Sequence, residues 1–290
     1  MADSIQKIAI LGLGVMGNGM AGQLLSHGFA LSIWNRTPAK AQLFAESGAR
    51  IAASPADAAE GADLVIAMVA DDDASRSVWL GEEGALSTLP SGAIGIESST
   101  LSVGWVRELA AVANERGVAF LDAPVSGSKN EAESGNLRFL VGGEAETVAR
   151  AAPVLDALGR ETVPCGPAGS GALIKLINNF LCGTQIAAFA EALVMAERGG
   201  MDPALAGSIL MDGAPGSPIV KTVGQRMIDD AFAPNFFASL MTKDLRYAIS
   251  TAQDSGLPLQ TAHGPLALFE KALAQGHGQE DMAAVFKAVV

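Results

Sequence analysis

Short, almost continuous apolar runs punctuate the first half of the chain. Lys7-Ile-Ala-Ile-Leu11, Ala30-Leu-Ser-Ile-Trp34, Leu64-Val-Ile-Ala-Met68, Ala93-Ile-Gly-Ile-Glu97 and Val118-Ala-Phe-Leu121 show little polar alternation. That is the pattern of strands buried on both faces of a parallel sheet. Ala49-Arg-Ile-Ala52, Leu137-Arg-Phe-Leu-Val141 and Thr162-Val-Pro-Cys165 predict further strands. Between them, Asn18–Ser26, 38–47, Ser102–Arg116 and Glu144–Leu158 read as helices. Ser54-Pro-Ala-Asp57 reads as a capped helix start, with Pro at the first helical position. Repeated strand–helix units predict an α/β, doubly wound sheet of Rossmann type, with ligands at the carboxyl ends of its strands.

The pattern changes after Gly166-Pro-Ala-Gly-Ser-Gly171. From Gly171 to about Glu197 an apolar run reads as one long helix, stopped by Gly199-Gly200. It is apolar on nearly every side and is therefore expected to be buried. Met201–Met211, Ile219–Asp229, Ala238–Ser255, Ala262–Gln275 and Met282–Ala288 follow as helices, with no strand alternation. The expected division is residues 1–167 as the Rossmann domain and 168–290 as an all-α domain entered through a long interdomain helix.

At 290 residues and 49% hydrophobic, the chain has apolar material for two cores. A net charge of -12 argues against non-specific nucleic-acid binding or an anionic membrane surface. Cys165 and Cys182 show no CxxC spacing, which fits a reducing, cytoplasmic setting. The start, Met1-Ala-Asp-Ser4, lacks the features of a signal peptide, and no uncharged stretch reads as a clean membrane span. His27, His263 and His277 are isolated and form no HExxH, so no metal is assigned. No GxSxG motif appears either.

Gly12-Leu13-Gly14-Val15-Met16-Gly17 sits between a strand and a helix, the context that gives GxGxxG its meaning. Gly12 allows the tight turn, Gly14 lets a pyrophosphate approach the backbone, and Gly17 lets helix pack on strand. The helix N-terminus then offers amides to phosphate. Where the second strand of a reader of free ribose would end in an acid, this chain has Asn35-Arg36-Thr37. Guanidinium and hydroxyl groups suit a 2′-phosphate, so NADP(H) is expected over NAD(H). Met68, Val69, Thr100 and Asp122–Gly127 fall at the other strand ends. Lys175 lies near the start of the long apolar helix with no Asp or Glu between Glu161 and Glu191. A buried lysine without a local acid is costly unless a reaction needs it. Asn178 and Asn179 share its face at i+3 and i+4.

These blocks, together with Gly169-Ser-Gly171-Ala-Leu-Ile-Lys175-Leu-Ile-Asn178-Asn179 and Lys243-Asp244-Leu-Arg-Tyr-Ala248, resemble the β-hydroxyacid dehydrogenase family over essentially the whole chain. Ser126-Gly127-Ser128-Lys129, followed by Ala132-Glu133-Ser-Gly135, looks most like the glyoxylate and succinic semialdehyde reductase branch. The resemblance implies a 6-phosphogluconate dehydrogenase-like helical domain and NADPH-dependent reduction of a small carboxylate-bearing aldehyde. It makes Lys175 the catalytic residue, with Thr100 and Lys243 at the cofactor. Ser126, Gly127, Ser128, Asn179, Phe236 and Asp244 frame the substrate. A homodimer or homotetramer is expected, because an apolar stripe on the long helix needs a cover.

The chain departs from the family pattern in two places. Gln23 stands where Asn is usual and is expected to matter little, whereas Asn130-Glu131 leaves substrate choice open. The rival enzyme reading is an NAD-dependent 3-hydroxyisobutyrate or tartronate semialdehyde type of dehydrogenase. A non-catalytic NADP-binding scaffold and an imine reductase fit less well, since related scaffolds lack the catalytic lysine and imine reductases generally lack a lysine there.

Overall fold

The computed structural model describes residues 5–290; Met1–Ser4, part of the reading of the N-terminus, lie outside them. The chain divides into two compact units, Met1–Lys175 and Leu176–Val290.

In the first unit, β1 (Lys7–Leu11), β2 (Ala30–Trp34), β3 (Arg50–Ile51), β4 (Leu64–Ala67), β5 (Ile94–Glu97) and β6 (Ala119–Asp122) run parallel in the order β3-β2-β1-β4-β5-β6. The order reverses between β1 and β4, where Ile8 pairs with Leu64, and a doubly wound sheet binds its ligand beyond that crevice. Every position of β4 and β5 is buried. Ile8, Ile10, Ile33, Leu64, Ile66, Ile94 and Ile96 meet Met20 and Leu24 of the opening helix (Val15–Ser26) in one core. Burial of each such aliphatic side chain stabilises the fold by roughly 1.5–3 kcal/mol.

Three strands complete the sheet. β8 (Leu137–Gly142) is antiparallel to β6 and to β7 (Val125–Ser126), and parallel to β9 (Gly159–Gly166). The short β7 falls in a stretch for which the sequence predicts no strand. Val125 pairs with Phe139 and is buried, whereas Ser126 is exposed. The opening helix starts at Val15 rather than Asn18, because the Asn18 amide reaches back 3.0 Å to the Gly14 carbonyl. The helix predicted over 38–47 stops at Gln42 and continues as short-range turns, with Phe44 bonded to Ala41 and Gly48 to Ala45.

The second unit is helical: Pro203–Asp212, Pro218–Ile228, Ala238–Asp254 and His263–Ala274, with the short Val285–Val289 at the end. Asp202 and Ser217 cap the first two of these, each followed by the Pro that favours a helix start. Ile186, Phe189, Leu193, Met227, Met241, Leu245 and Phe269 form its core.

The long helix spans Ser170–Arg198, and the unit boundary falls inside it. The sequence reading that it is buried on all sides is corrected. Leu173 (37%), Ile174 (40%), Ile177 (43%) and Leu181 (50%) are exposed and recur at the three- and four-residue spacing of one helix face. The turns carrying Ile186, Ala190 and Leu193 are the ones packed in the core. By length and composition alone this helix, with a mean hydropathy of 1.3 over an 18-residue window, is long and apolar enough to cross a bilayer. A core helix of a globular unit meets the same criterion.

Candidate active site

The three glycines of the opening loop do different work. Gly12 has φ +102°, and a methyl there would stand 2.3 Å from the Met68 carbonyl oxygen. A methyl on Gly17 would stand 2.1 Å from the Gly12 carbonyl oxygen. Both residues are therefore small for the protein's own packing. Gly14 is different, with nothing within 4 Å of the position its Cβ would take. That space, at the N-cap of a helix with no acid in its first turn, fits the pyrophosphate of a dinucleotide. The first-turn amides of Val15, Met16 and Gly17 would hold it there.

Asn35 acts on the loop itself. Its Oδ1 accepts the Leu13 amide at 2.8 Å, and its Nδ2 donates to the Thr37 carbonyl at 2.9 Å. Sequence reasoning grouped Asn35 with the phosphate-facing residues; its amide is instead the brace that fixes the turn. Arg36 and Thr37 lie exposed beyond it, and Arg36 forms no ion pair among the described residues.

At the ends of β4 and β5 a buried acid organises the backbone. Glu97 is fully buried and accepts Ser75 Oγ at 2.5 Å, Trp79 Nε1 at 2.9 Å and the Ser99 amide at 3.0 Å. Burial pushes its carboxyl above the usual range, against the pull of these donors. Ser99 Oγ in turn accepts the Val69 amide at 2.8 Å, so the segments carrying Met68, Val69 and Thr100 are tied together. Glu97 and Ser99 were absent from the predicted set. An acid closing an otherwise apolar strand was the available signal.

β6 also ends in an acid, Asp122, which is fully buried. Beyond it, Ser126 and Gly127 are exposed, and Gly127 takes φ +133°. Glu131 Oε2 accepts both the Ser128 amide at 2.7 Å and the Ser128 hydroxyl at 2.6 Å. Those two bonds hold the Glu131 carboxyl below its usual range, the hydroxyl contributing most. The departure at Glu131 is thus a cap that ties down the Ser128 hydroxyl. Gln23, expected to matter little, donates to the Glu133 carbonyl at 2.5 Å and braces the same segment against the opening helix. Lys175 is half-buried, one turn into the long helix.

The second unit holds the remaining predicted residues. Asn179 is buried and its Nδ2 donates to Asp244 Oδ2 at 2.5 Å, while Asn178 Nδ2 donates to Asn179 Oδ1 at 3.0 Å. Lys243 Nζ lies 2.8 Å from Asp244 Oδ1 and 4.6 Å from the centre of the Tyr247 ring. Asp244 is itself fully buried, so it serves as the anchor of Asn179 and Lys243. Phe236 is placed by another unpredicted acid. Asp281 Oδ2 accepts the amides of Asn235 at 3.0 Å and Phe236 at 3.2 Å and pairs with Arg226 at 3.2 Å.

Residues 7–166 match the NAD binding domain of 6-phosphogluconate dehydrogenase, and residues 169–289 match the NAD-binding region of NADP-dependent 3-hydroxyisobutyrate dehydrogenase. The chain is 33% identical to glyoxylate/succinic semialdehyde reductase 2, chloroplastic, of Arabidopsis thaliana, covering 98% of this chain and 79% of that one. It is 33% identical to mitochondrial 3-hydroxyisobutyrate dehydrogenase of Rattus norvegicus, over 97% and 86% of the two chains. The solved structure of Mycobacterium tuberculosis 3-hydroxyisobutyrate dehydrogenase with L-serine superposes with TM-score 0.89 at 30% identity, over 98% of this chain and 99% of that chain. With both halves matched in series and relatives aligned along nearly its whole length, the chain belongs to the β-hydroxyacid dehydrogenase family, NAD(P)-dependent oxidoreductases acting on CH–OH groups.

Proposed function

We propose that this protein reduces a small carboxylate-bearing aldehyde of the succinic semialdehyde or glyoxylate type to its hydroxyacid, using NADPH. Arg36 carries the cofactor half of this reading: it is exposed just beyond β2, where a reader of the free ribose hydroxyl would carry an acid. The Arabidopsis relative's name supports the substrate half. When bound, the dinucleotide supplies a hydride to the carbonyl carbon.

As carbon gains the hydride, the carbonyl oxygen gains negative charge and takes a proton from the Lys175 ammonium; oxidation reverses that transfer. Asn179, one helical turn further on, orients the reacting oxygen, with Asp244 fixing its amide. The exposed Ser126 hydroxyl and Gly127 amide receive the substrate carboxylate, and Ser128 stays committed to Glu131. Phe236 supplies an apolar wall. Val69, Thr100 and Lys243 hold the cofactor, and Asp244 keeps the Lys243 ammonium in place.

The rival reading, an NAD-dependent dehydrogenase of 3-hydroxyisobutyrate type, is supported by the rat relative at the same identity. Initial rates of NADPH and NADH oxidation with glyoxylate, succinic, tartronate and methylmalonate semialdehydes separate the two. Preference for NADPH with glyoxylate or succinic semialdehyde is the expected result; preference for NADH with methylmalonate semialdehyde would install the rival. A homodimer or homotetramer in the reducing cytoplasm completes the proposal. The exposed stripe Leu173, Ile174, Ile177 and Leu181 supports the oligomer, and Cys165 and Cys182, which form no disulfide among the described residues, support the reducing setting. Sedimentation that finds only monomer would refute the oligomer.

A further inference from the structure

The long helix does not cap itself. A helix start is usually capped by the residue just before it. Here that residue is Gly169, which has no side chain and holds φ +91°. The cap comes from far away in sequence. Asp122 Oδ1 accepts the Gly169 amide at 2.7 Å, and Oδ2 accepts the Ala172 amide at 2.8 Å, across 47 and 50 residues. Burying a carboxylate is expensive without such donors. Burial does raise the Asp122 carboxyl above its usual range, with the amide bonds working against it. A local Ser or Asp at the helix start would satisfy the same amides at less cost, so the long-range cap has another use.

The surroundings are shaped to permit it. A methyl on Gly142 would stand 2.4 Å from Asp122 Oδ1. A methyl on Gly171 would stand 2.9 Å from Oδ2 and 2.2 Å from the Leu140 carbonyl oxygen. Both glycines let strand and helix close directly on the carboxylate. From Asp122 the chain runs only to Ala123 and Pro124 before reaching Val125 and Ser126, which pair with Phe139 and Arg138 of β8. The Leu140 amide bonds the Pro124 carbonyl at 2.9 Å, so this short segment is held along its length. Lys175 follows the capped Ala172 by less than one helical turn. All of these residues belong to the first compact unit.

We propose that Asp122 is a positioning residue for the reaction: its carboxylate clamps the first turn of the Lys175 helix to the strand that leads into Ser126, holding proton donor and carboxylate-binding loop in one frame. The inference rests on the reading of Lys175 as proton donor and adds a link that reading does not require. Asp122→Asn replaces one acceptor oxygen by an NH2 group that meets an N–H, loosening the clamp while keeping its size.

The test is steady-state kinetics on the full-length enzyme with NADPH and succinic semialdehyde. In Asp122→Asn, kcat should fall by about 10- to 100-fold, because misplacement of a reacting group by about 1 Å costs that much. The aldehyde KM and the NADPH Kd should stay within about threefold of the parent values. The solvent deuterium isotope effect on kcat should rise as proton transfer becomes limiting. A merely structural role lowers the active fraction and leaves that isotope effect unmoved, and that outcome overturns the clamp.

A double-mutant cycle separates the two layers. Asp122→Asn added to Lys175→Ala should leave the residual rate unchanged. If Lys175→Ala lowers kcat by about 10²–10⁴-fold yet Asp122→Asn lowers the residual rate by its full factor again, the clamp fails and the proton-donor reading stands. If Lys175→Ala retains parent turnover, the proton-donor reading fails and takes the clamp with it. Should Asp122→Asn not fold, Gly171→Ala serves in its place, since its methyl pushes the first turn away from Leu140 and leaves the carboxylate intact. It should show the same loss in kcat and the same rise in isotope effect, and parent behaviour from a folded Gly171→Ala overturns the proposal.

Discussion

The glycine loop of the first unit and the Asn179–Asp244–Lys243 group of the second are built by different means. The loop is a backbone device. Gly12 and Gly17 are small because the protein fills the space around them, Gly14 is small with no protein atom near, and the Asn35 side chain braces the turn. The second group is a side-chain device: an anchoring acid, fully buried on one helix, holds an amide 65 residues away and the lysine beside it. A backbone site tolerates little change of residue size, whereas a buried ionic site tolerates little change of charge.

That contrast is broken or sharpened by specific variants, the largest effect first. Asp244→Ala removes the anchor and with it the carboxylate 2.8 Å from the Lys243 ammonium, whose side chain is 16% exposed. Breaking such a pair should cost about 3 kcal/mol of stability by chemical denaturation. A loss near zero would show that the second region is not held by its charges. Arg36→Ala should lower the ratio of NADPH to NADH efficiency by about 10- to 100-fold, the worth of charge-assisted bonds of roughly 1.5–3 kcal/mol. An unchanged ratio ends the phosphate reading.

Gly14→Ala tests the backbone device most cleanly. Gly14 has φ -69°, which alanine adopts readily, so the melting temperature should not move. Dinucleotide affinity should nevertheless drop about tenfold, or roughly 1.4 kcal/mol, by fluorescence titration. Unchanged affinity would mean that the open space at Gly14 is not the ligand's.

The smallest effect concerns Glu131. Its folded pKa is depressed below the ordinary 4.5 by the Ser128 hydroxyl and amide. The stability this cap contributes is therefore present above that value and is lost as pH falls through the folded pKa. The difference in melting temperature between the parent and Glu131→Gln should be clear at pH 7 and shrink toward zero in acid. A difference that grows in acid has the wrong sign for this cap.

The same contrast explains what was legible in the sequence. Apolar runs of sheet-buried strands and the glycine spacing are local signals, so β1, β2, β4, β5 and β6 and the opening turn could be read directly. Lys175 stood out because an apolar helix rarely carries a charge near its start. β7 escaped because two residues make no pattern, and its pairing depends on β8, fourteen residues away where Val125 meets Phe139. The exposed face of the long helix escaped because composition gives apolarity but not which side is covered.

Glu97 and Asp281 escaped the candidate set, and Asp122 entered it only as a residue at a strand end, for a related reason. Each is a fully buried acid whose partners are set by tertiary folding, as when Asp122 meets Gly169 and Ala172. For Glu97 and Asp122 the trace in sequence was an acid at the end of an apolar strand, which signals that something beyond the strand requires the charge.

The most direct measurement is turnover by Lys175→Ala beside its affinity for NADPH. Loss of the proton donor should lower kcat for succinic semialdehyde by about 10²–10⁴-fold, while the NADPH Kd from fluorescence titration stays at the parent value. Parent-level kcat in a folded Lys175→Ala that still binds NADPH would contradict the assignment of Lys175 as the proton donor.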